Sequence, residues 1–238
     1  MTVVRGHTPG VDASALLADV AGLGPFFTMG GPAVPGERPV ADLQTDPQPL
    51  RERIAHVRGA LRCDERVAAS LAFQGLAAQL VSAPYAAAVL HGVVPALTPA
   101  TVSWRRADDG GWAMRSTATA LADGTALVPL LDGLLAPLVA AVRAQVPVAE
   151  RLLWGNAAST VAAAKRLVVL QRPAAADRAA EVAQTVLTCR PFAGAGELLP
   201  PRDPDRNWSF RRRSCCLYYR VPGSVGLCDD CVLSAGRG

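Results

Sequence analysis

Apolar positions recur at helical spacing over most of the 238-residue chain. Between Asp12 and Leu23, the residues Leu16, Leu17, Val20 and Leu23 fall on one side of a short helix. From Asp64 onward Val67, Leu71, Leu76, Leu80 and Val81 mark an alanine-rich helix. Pro84 is expected to end or restart it, because proline lacks an N–H and its ring clashes with the preceding turn. Ala86 to Leu90 continue the pattern briefly. Helical patterns follow at Leu127 to Gln145, Val148 to Leu170 and Ala174 to Cys189, the last two divided by Arg172 and Pro173. Short connections make these antiparallel neighbours. The period changes to two between Thr98 and Thr119. There Val102 and Trp104 alternate with polar neighbours, Asp109-Gly110-Gly111 supplies a turn, and Trp112 and Met114 resume the alternation, as in a β-hairpin.

Two stretches show no apolar period. Residues 24–49 carry Pro25, Pro32, Pro35 and Pro39 with Gly30, Gly31 and Gly36, and read as an irregular connector. After Arg190, Pro191, Gly194, Gly196, Pro200, Pro201 and Pro204 read as a linker. The chain is thus expected to be α+β: a predominantly helical body with a β-hairpin over 1–205, and a small C-terminal module over 206–238.

Half the residues are hydrophobic and 18% are charged, which suits a globular protein and excludes wholesale disorder. The net charge is +4, and Lys165 is the single lysine among 24 basic residues. The arginines are dispersed apart from Arg211 to Arg213, so no nucleic-acid partner is expected. The N-terminus, MTVVRGHTPG, lacks the parts of a secretory signal, and a cytoplasmic location is expected. The longest apolar stretch, Ala126 to Val142, contains Pro129, Asp132, Gly133 and Pro137 and reads as a core helix rather than a span. A peripheral contact with the inner membrane is left open. In a reducing cytosol six cysteines are not expected to pair as disulfides, so their clustering points to metal chemistry.

Cys215 and Cys216 are followed by eleven residues, Leu217 to Leu227, and then by Cys228-Asp229-Asp230-Cys231. A Cys-x-x-Cys turn brings two thiolates to one side of a tight loop, where both can bind metal. The adjacent pair needs a special backbone conformation before its side chains converge. Pro222, Gly223 and Gly226 let the intervening segment fold back. Spacing alone is satisfied equally by a 2Fe-2S cluster and by structural zinc. A tail this polar and glycine-rich has no core in which to bury unligated thiols.

The run Arg212-Arg213-Ser214-Cys215-Cys216-Leu217-Tyr218-Tyr219-Arg220, with the second cysteine pair, resembles the C-terminal iron-sulfur signature of the FhuF family of ferric-siderophore reductases. Leu153-Trp154-Gly155-Asn156-Ala157-Ala158-Ser159 is similar to a Trp-Gly-Asn segment on a helix of that family. The resemblance implies an iron-sulfur module in which Cys215, Cys216, Cys228 and Cys231 hold a 2Fe-2S cluster. It further implies a cytoplasmic electron-transfer protein that reduces a ferric siderophore, of hydroxamate type, and is re-reduced by a ferredoxin or a flavoprotein reductase. No acid, base or nucleophile is needed beyond the cluster. The family usually places ten residues between the pairs, and the extra one is expected to bulge from Gly223-Ser224-Val225-Gly226.

Arg211, Arg212, Arg213 and Arg220 flank the cysteines and are candidate contacts to substrate or donor, alongside Trp154 and Asn156. Each has a bland alternative: a solvated basic strip for the arginines, helix packing for the other two. Tyr218 and Tyr219 either shield the cluster or pack the small module. Cys63 and Cys189 are expected to be structural thiols, and His7, His56 and His91 have no ligand spacing, against a Rieske-type site. The other classes open to this chain are a zinc-stapled protein and a siderophore-binding protein without redox activity.

Overall fold

The computed structural model describes residues 12–107, 110–200, 209–224 and 226–233. The N-terminal segment with His7, Asp109 of the expected turn, the linker residues Pro201 and Pro204, and Val225 lie outside them. The fold is α+β with a predominantly helical body. Helix α1 (Ala13–Ala21) starts at Asp12, whose carboxylate accepts the Ala15 N–H at 2.7 Å. A connector carries a two-residue strand β1 (Arg38–Pro39) and a single-turn helix α2 (Asp42–Thr45) into α3 (Gln48–Leu61) and α4 (Glu65–His91). Strands β2 (Val93–Pro95), β3 (Val102–Arg106), β4 (Trp112–Ser116) and β5 (Leu121–Asp123) precede the helices α5 (Leu127–Gln145), α6 (Glu150–Gln171) and α7 (Ala176–Thr188). Strands β6 (Gly196–Leu199) and β7 (Ser209–Arg212) close the order.

Helix α4 is the axis of the body. It is apolar on every side and is packed by α6, α3, α5, α1 and α7. Asp64 caps its start by accepting the Val67 N–H at 3.0 Å, and Gly92 ends it in the left-handed region at φ 69°. Pro84 does not break it, contrary to the sequence expectation. An interior proline costs roughly 3 kcal/mol, and a helix enclosed over both of its halves gains more than that from burial. Alanines on both helices, among them Ala69, Ala72 and Ala77 on α4 and Ala157, Ala158 and Ala162 on α6, let their backbones approach closely.

The expected hairpin is present as β3 and β4 in register Trp104↔Met114, with β1 added at the edge of β3. Trp104 and Trp112 stack at 4.1 Å between ring centroids on its inner face. Helix α3 was absent from the sequence reading. It begins on Pro47 and Pro49, which a first helical turn tolerates, and buries Leu50, Ile54 and Val57 at helical spacing. The connector is also more ordered than its composition suggests. Phe27, Met29, Val40 and Leu43 are each buried as single plugs, which leave no period to read. The stretch expected to be a linker, 191–205, supplies β6, which pairs with β7 across residue 205 in the register Gly196↔Arg212.

Glu37 and Arg115 form a largely buried ion pair beside the hairpin, with Arg115 Nε donating to Glu37 Oε2 at 2.7 Å. The Arg115 hydrogen bonds hold the Glu37 carboxyl down at about 2. A depressed carboxylate stabilises the fold above its unfolded pKa and loses that contribution as pH falls toward its folded value. We therefore expect Glu37→Gln to cost about 2 kcal/mol at neutral pH, and its stability to fall less steeply than wild type below pH about 4.5. Thermal melts across that range check both.

Candidate metal centre

Strand β7 carries the arginine run into the body with a two-residue period. Ser209 and Arg211 face out, whereas Phe210 and Arg212 face in. Only glycine fits opposite, because a Cβ on Gly196 would lie 2.2 Å from the Phe210 ring. The arginines thus separate into two kinds. Arg211 pairs with Glu197 at 2.7 Å, Arg213 with the same carboxylate at 3.5 Å, and Arg220 with Asp64 at 2.8 Å, all at the surface. Arg212 is 1% exposed and, among the described residues, has no carboxylate within ion-pair distance.

Neutral oxygens hold the Arg212 guanidinium. Its Nε donates to the Ser214 carbonyl at 2.9 Å, and Nη2 donates to Asn156 Oδ1 at 2.6 Å and the Leu152 carbonyl at 3.4 Å. Nη1 is buried with no partner among the described residues. Asn156, on α6, passes the connection on. Its Nδ2 donates to the Ser70 carbonyl at 2.7 Å and to Ser70 Oγ at 3.0 Å, and Ser70 Oγ donates to the Cys216 carbonyl at 2.7 Å. The tail is thereby fixed to α4 and α6 at once. Arg212 and Asn156, read as candidate contacts to substrate or donor, meet each other in the interior. Trp154 is also buried, edge-on to Phe192 at 5.5 Å. Burial removes Arg212 and Asn156 from any surface that a partner protein touches, whereas Trp154 still borders a small cavity with Arg151 and Arg213.

The cysteines stand beside this network. Cys216 and Cys231 are buried, Cys215 and Cys228 half-buried. Leu217 takes the left-handed conformation at φ 68°, the special backbone geometry that the adjacent pair required. The two pairs then share a motif: the Leu217 N–H points at Cys215 Sγ, the Leu233 N–H at Cys231 Sγ, each at 3.3 Å. The Cys231 N–H donates to the Cys228 carbonyl at 3.0 Å and closes the Cys-x-x-Cys turn. Asp230 clamps that turn from both sides, its carboxylate on Arg166 of α6 at 2.8 Å and its carbonyl accepting the Arg212 N–H at 3.0 Å.

Cys216 Sγ and Cys228 Sγ lie 3.4 Å apart. Two sulfurs on one tetrahedral metal, with bonds of about 2.3 Å, would be separated by about 3.8 Å. The hydrogen bond between them pulls the Cys216 thiol down to about 6 and pushes Cys228 up, while burial raises Cys215. Among the described residues no three His, Cys, Asp or Glu side chains converge as they do around one ion. Instead one sulfur pair is closed, one member from each end of the motif. The donors suit an anionic iron-sulfur group on two counts: thiolates are its usual ligands, and the Arg212 cation beside them has no other counter-charge. Cys216 and Cys228 also wall a cleft of about 640 Å³ between α4, α6 and the loop that starts at Gly226. Gly223 and Gly226 have positive φ, as the fold-back required; the expected bulge falls partly on Val225, outside the described residues.

The residues that sequence reading missed are Ser70, Arg166, Asp230 and Gly155. A Cβ on Gly155 would lie 2.2 Å from Ser214 Oγ and 3.0 Å from Arg212 Nη2, so the glycine is the seat of the tail. We expect Gly155→Ala to swing Ser214 off the Arg151 carbonyl, which it now meets at 2.9 Å, and to loosen the tail by about 1–2 kcal/mol. Helical dichroism should persist while iron is lost several-fold faster to a chelator, and Ser214→Ala in the same chain should restore part of the loss.

No curated relative matches the chain. Residues 212–233, from the buried arginine to the second N–H···S contact, match the family model of the FhuF 2Fe-2S C-terminal domain, so the tail is an FhuF-type segment and its cofactor is a 2Fe-2S cluster.

Proposed function

We propose that this protein is a one-electron carrier that reduces ferric siderophores, of hydroxamate type, and releases Fe(II) in the cytoplasm. The observation that carries the reading is a buried arginine, without a carboxylate partner among the described residues, whose charge acts on Cys215, Cys216 and Cys228 in a segment of FhuF 2Fe-2S type. Cys215, Cys216, Cys228 and Cys231 are the proposed ligands. When bound, the cluster supplies one electron, which turns an Fe(III) held by hard oxygen donors into an Fe(II) that they hold weakly.

The chain's own residues set the conditions. Arg212 places a fixed positive charge beside the thiolates, which favours the more negative, reduced state. The Leu217 and Leu233 N–H groups do the same through hydrogen bonds to sulfur. Ser70 and Asn156 hold Arg212 and Cys216 in one frame, so neither relaxes when charge arrives. Arg211, Arg213 and Arg220 spend their charge on Glu197 and Asp64 at the surface and act on the site weakly. A ferredoxin or flavoprotein reductase is the proposed donor, meeting the tail at its exposed side near Tyr219, which is 48% exposed.

Anaerobically purified protein is expected to be brown, with about two irons per chain and visible absorption that dithionite bleaches. Mixed with a ferric hydroxamate under a ferrous chelator, the reduced protein should reoxidise in a single turnover. Colourless protein with stoichiometric zinc overturns the reading; a cluster that no ferric siderophore reoxidises leaves only binding.

Arg212→Gln is expected to lower the midpoint potential by on the order of 50 mV. Arg211→Gln should shift it far less. Spectroelectrochemical titration of both separates a buried charge from a surface one.

A further inference from the structure

The cleft beside the cysteines is deep enough to hold a whole chelate rather than a bare ion. Its walls are two rigid helices, α4 through Leu71 and Gln74, and α6 through Ser159, Ala163 and Leu167. Cys216 and Cys228 form part of the same lining, so anything seated there lies against the sulfur pair with no protein layer between. A volume of about 640 Å³ falls within the range of small-molecule sites, roughly 300–1,000 Å³.

Two features say what chemistry it takes. Ser159 is 3% exposed, lines the cleft, and its hydroxyl has no hydrogen-bond partner among the described residues. A buried hydroxyl left unpaired costs about 1–3 kcal/mol, which a ligand that offers an acceptor recovers. The second feature is charge. The charged side chains in the lining, apart from the cysteines, are Arg166, Asp229 and Asp230, and Arg166 is already bound to Asp230 at 2.8 Å. That leaves Asp229 and a thiolate set, so the cleft repels anions. A ferric tris-hydroxamate is uncharged, because three singly charged ligands cancel the metal, whereas a ferric tris-catecholate is a trianion.

We propose that this cleft binds an uncharged ferric chelate, its metal end against Cys216 and Cys228 and a carbonyl or hydroxyl of its backbone on Ser159. The inference rests on the electron-transfer reading above. The step it serves is a one-electron transfer: the chelated Fe(III) becomes Fe(II), the cluster loses that electron, and a protein donor of ferredoxin or flavin type replaces it. Apolar side chains on both helices pack the arms of the ligand, and Phe26, 44% exposed at the rim, covers its outer end.

Gallium(III) chelates test the site without redox chemistry, since Ga(III) matches Fe(III) in charge and size and is not reduced. Oxidised holoprotein titrated calorimetrically with a Ga(III) tris-hydroxamate should bind it saturably. Ala163→Trp and Gln74→Trp plug the cleft from opposite helices, and each should weaken binding at least tenfold while the electron paramagnetic resonance signal of the reduced cluster stays that of wild type. Ser159→Ala should weaken it several-fold. Wild-type affinity in either plugged variant that retains its cluster overturns the proposed site, and tighter binding of a Ga(III) tris-catecholate overturns the charge argument. Should ferric hydroxamates be reduced by wild type and by both plugged variants alike, the cleft is wrong and the reductase reading stands. Absence of both binding and reduction in wild type sinks the two together.

Discussion

A guanidinium buried at the seam between tail and helical body constrains everything around it. A charge removed from water costs several kcal/mol unless an opposite charge or strong hydrogen bonds replace the solvent. Arg212 is given three neutral oxygens and no carboxylate, so its hydrogen bonds are largely met while its charge is not. With the proposed cysteine ligands, that negative charge comes from sulfur. Order in the tail and occupancy of the metal site are then coupled: the anion held by the cysteines is also what makes the arginine tolerable where it sits.

The helical body enters this arrangement as the outer support of the metal site. A segment as short as 209–233 has little core of its own, and it borrows one. Phe210 packs inward, Ser214 settles on Gly155, Arg166 reaches down from α6 to Asp230, and Ser70 of α4 holds the Cys216 carbonyl. None of these contacts touches a sulfur atom, yet together they fix the backbone from which the sulfurs project. The close approach of α4 and α6 through their alanines has a second consequence. It leaves small side chains along the groove where the two helices face the tail, and that groove is the cleft.

Much of this was legible in the chain. Helices α5, α6 and α7 and the Trp104–Trp112 hairpin came from apolar period alone, close to their final limits, because packing and local preference agree there. Pro84 misled because burial outweighs a local rule inside an enclosed helix. Helix α3 was lost in the shadow of its own prolines, although Leu50, Ile54 and Val57 carried the signal. The cysteines announced the cofactor segment, and the Trp-Gly-Asn resemblance marked a helix without giving its task. What the sequence concealed was depth. Alternation from Phe210 to Arg212 could have shown which arginine turns inward, but a run of like charges reads as surface unless the strand is recognised first. Ser70, 146 residues from Cys216, had no local signal at all.

The division among the arginines also bears on how finely such a site can be tuned. Arg211, Arg213 and Arg220 face Glu197 or Asp64 in solvent, where water and the partner carboxylate screen most of their field. Arg212 faces only neutral oxygens in a buried seam, so its field at the sulfurs is screened less than that of the surface arginines. The same charge that eases the arrival of an electron resists its departure. A carrier of the proposed kind, which accepts from a protein donor and gives to a ferric chelate, works within a window between those two potentials. Placing one cation without a carboxylate partner behind the cysteines, while Arg166 in front of them is neutralised by Asp230, lets a single side chain set where in that window the site lies. On the proposed reading, the Asp229 carboxylate on the cleft side acts on the ligand instead, favouring an uncharged chelate over an anionic one.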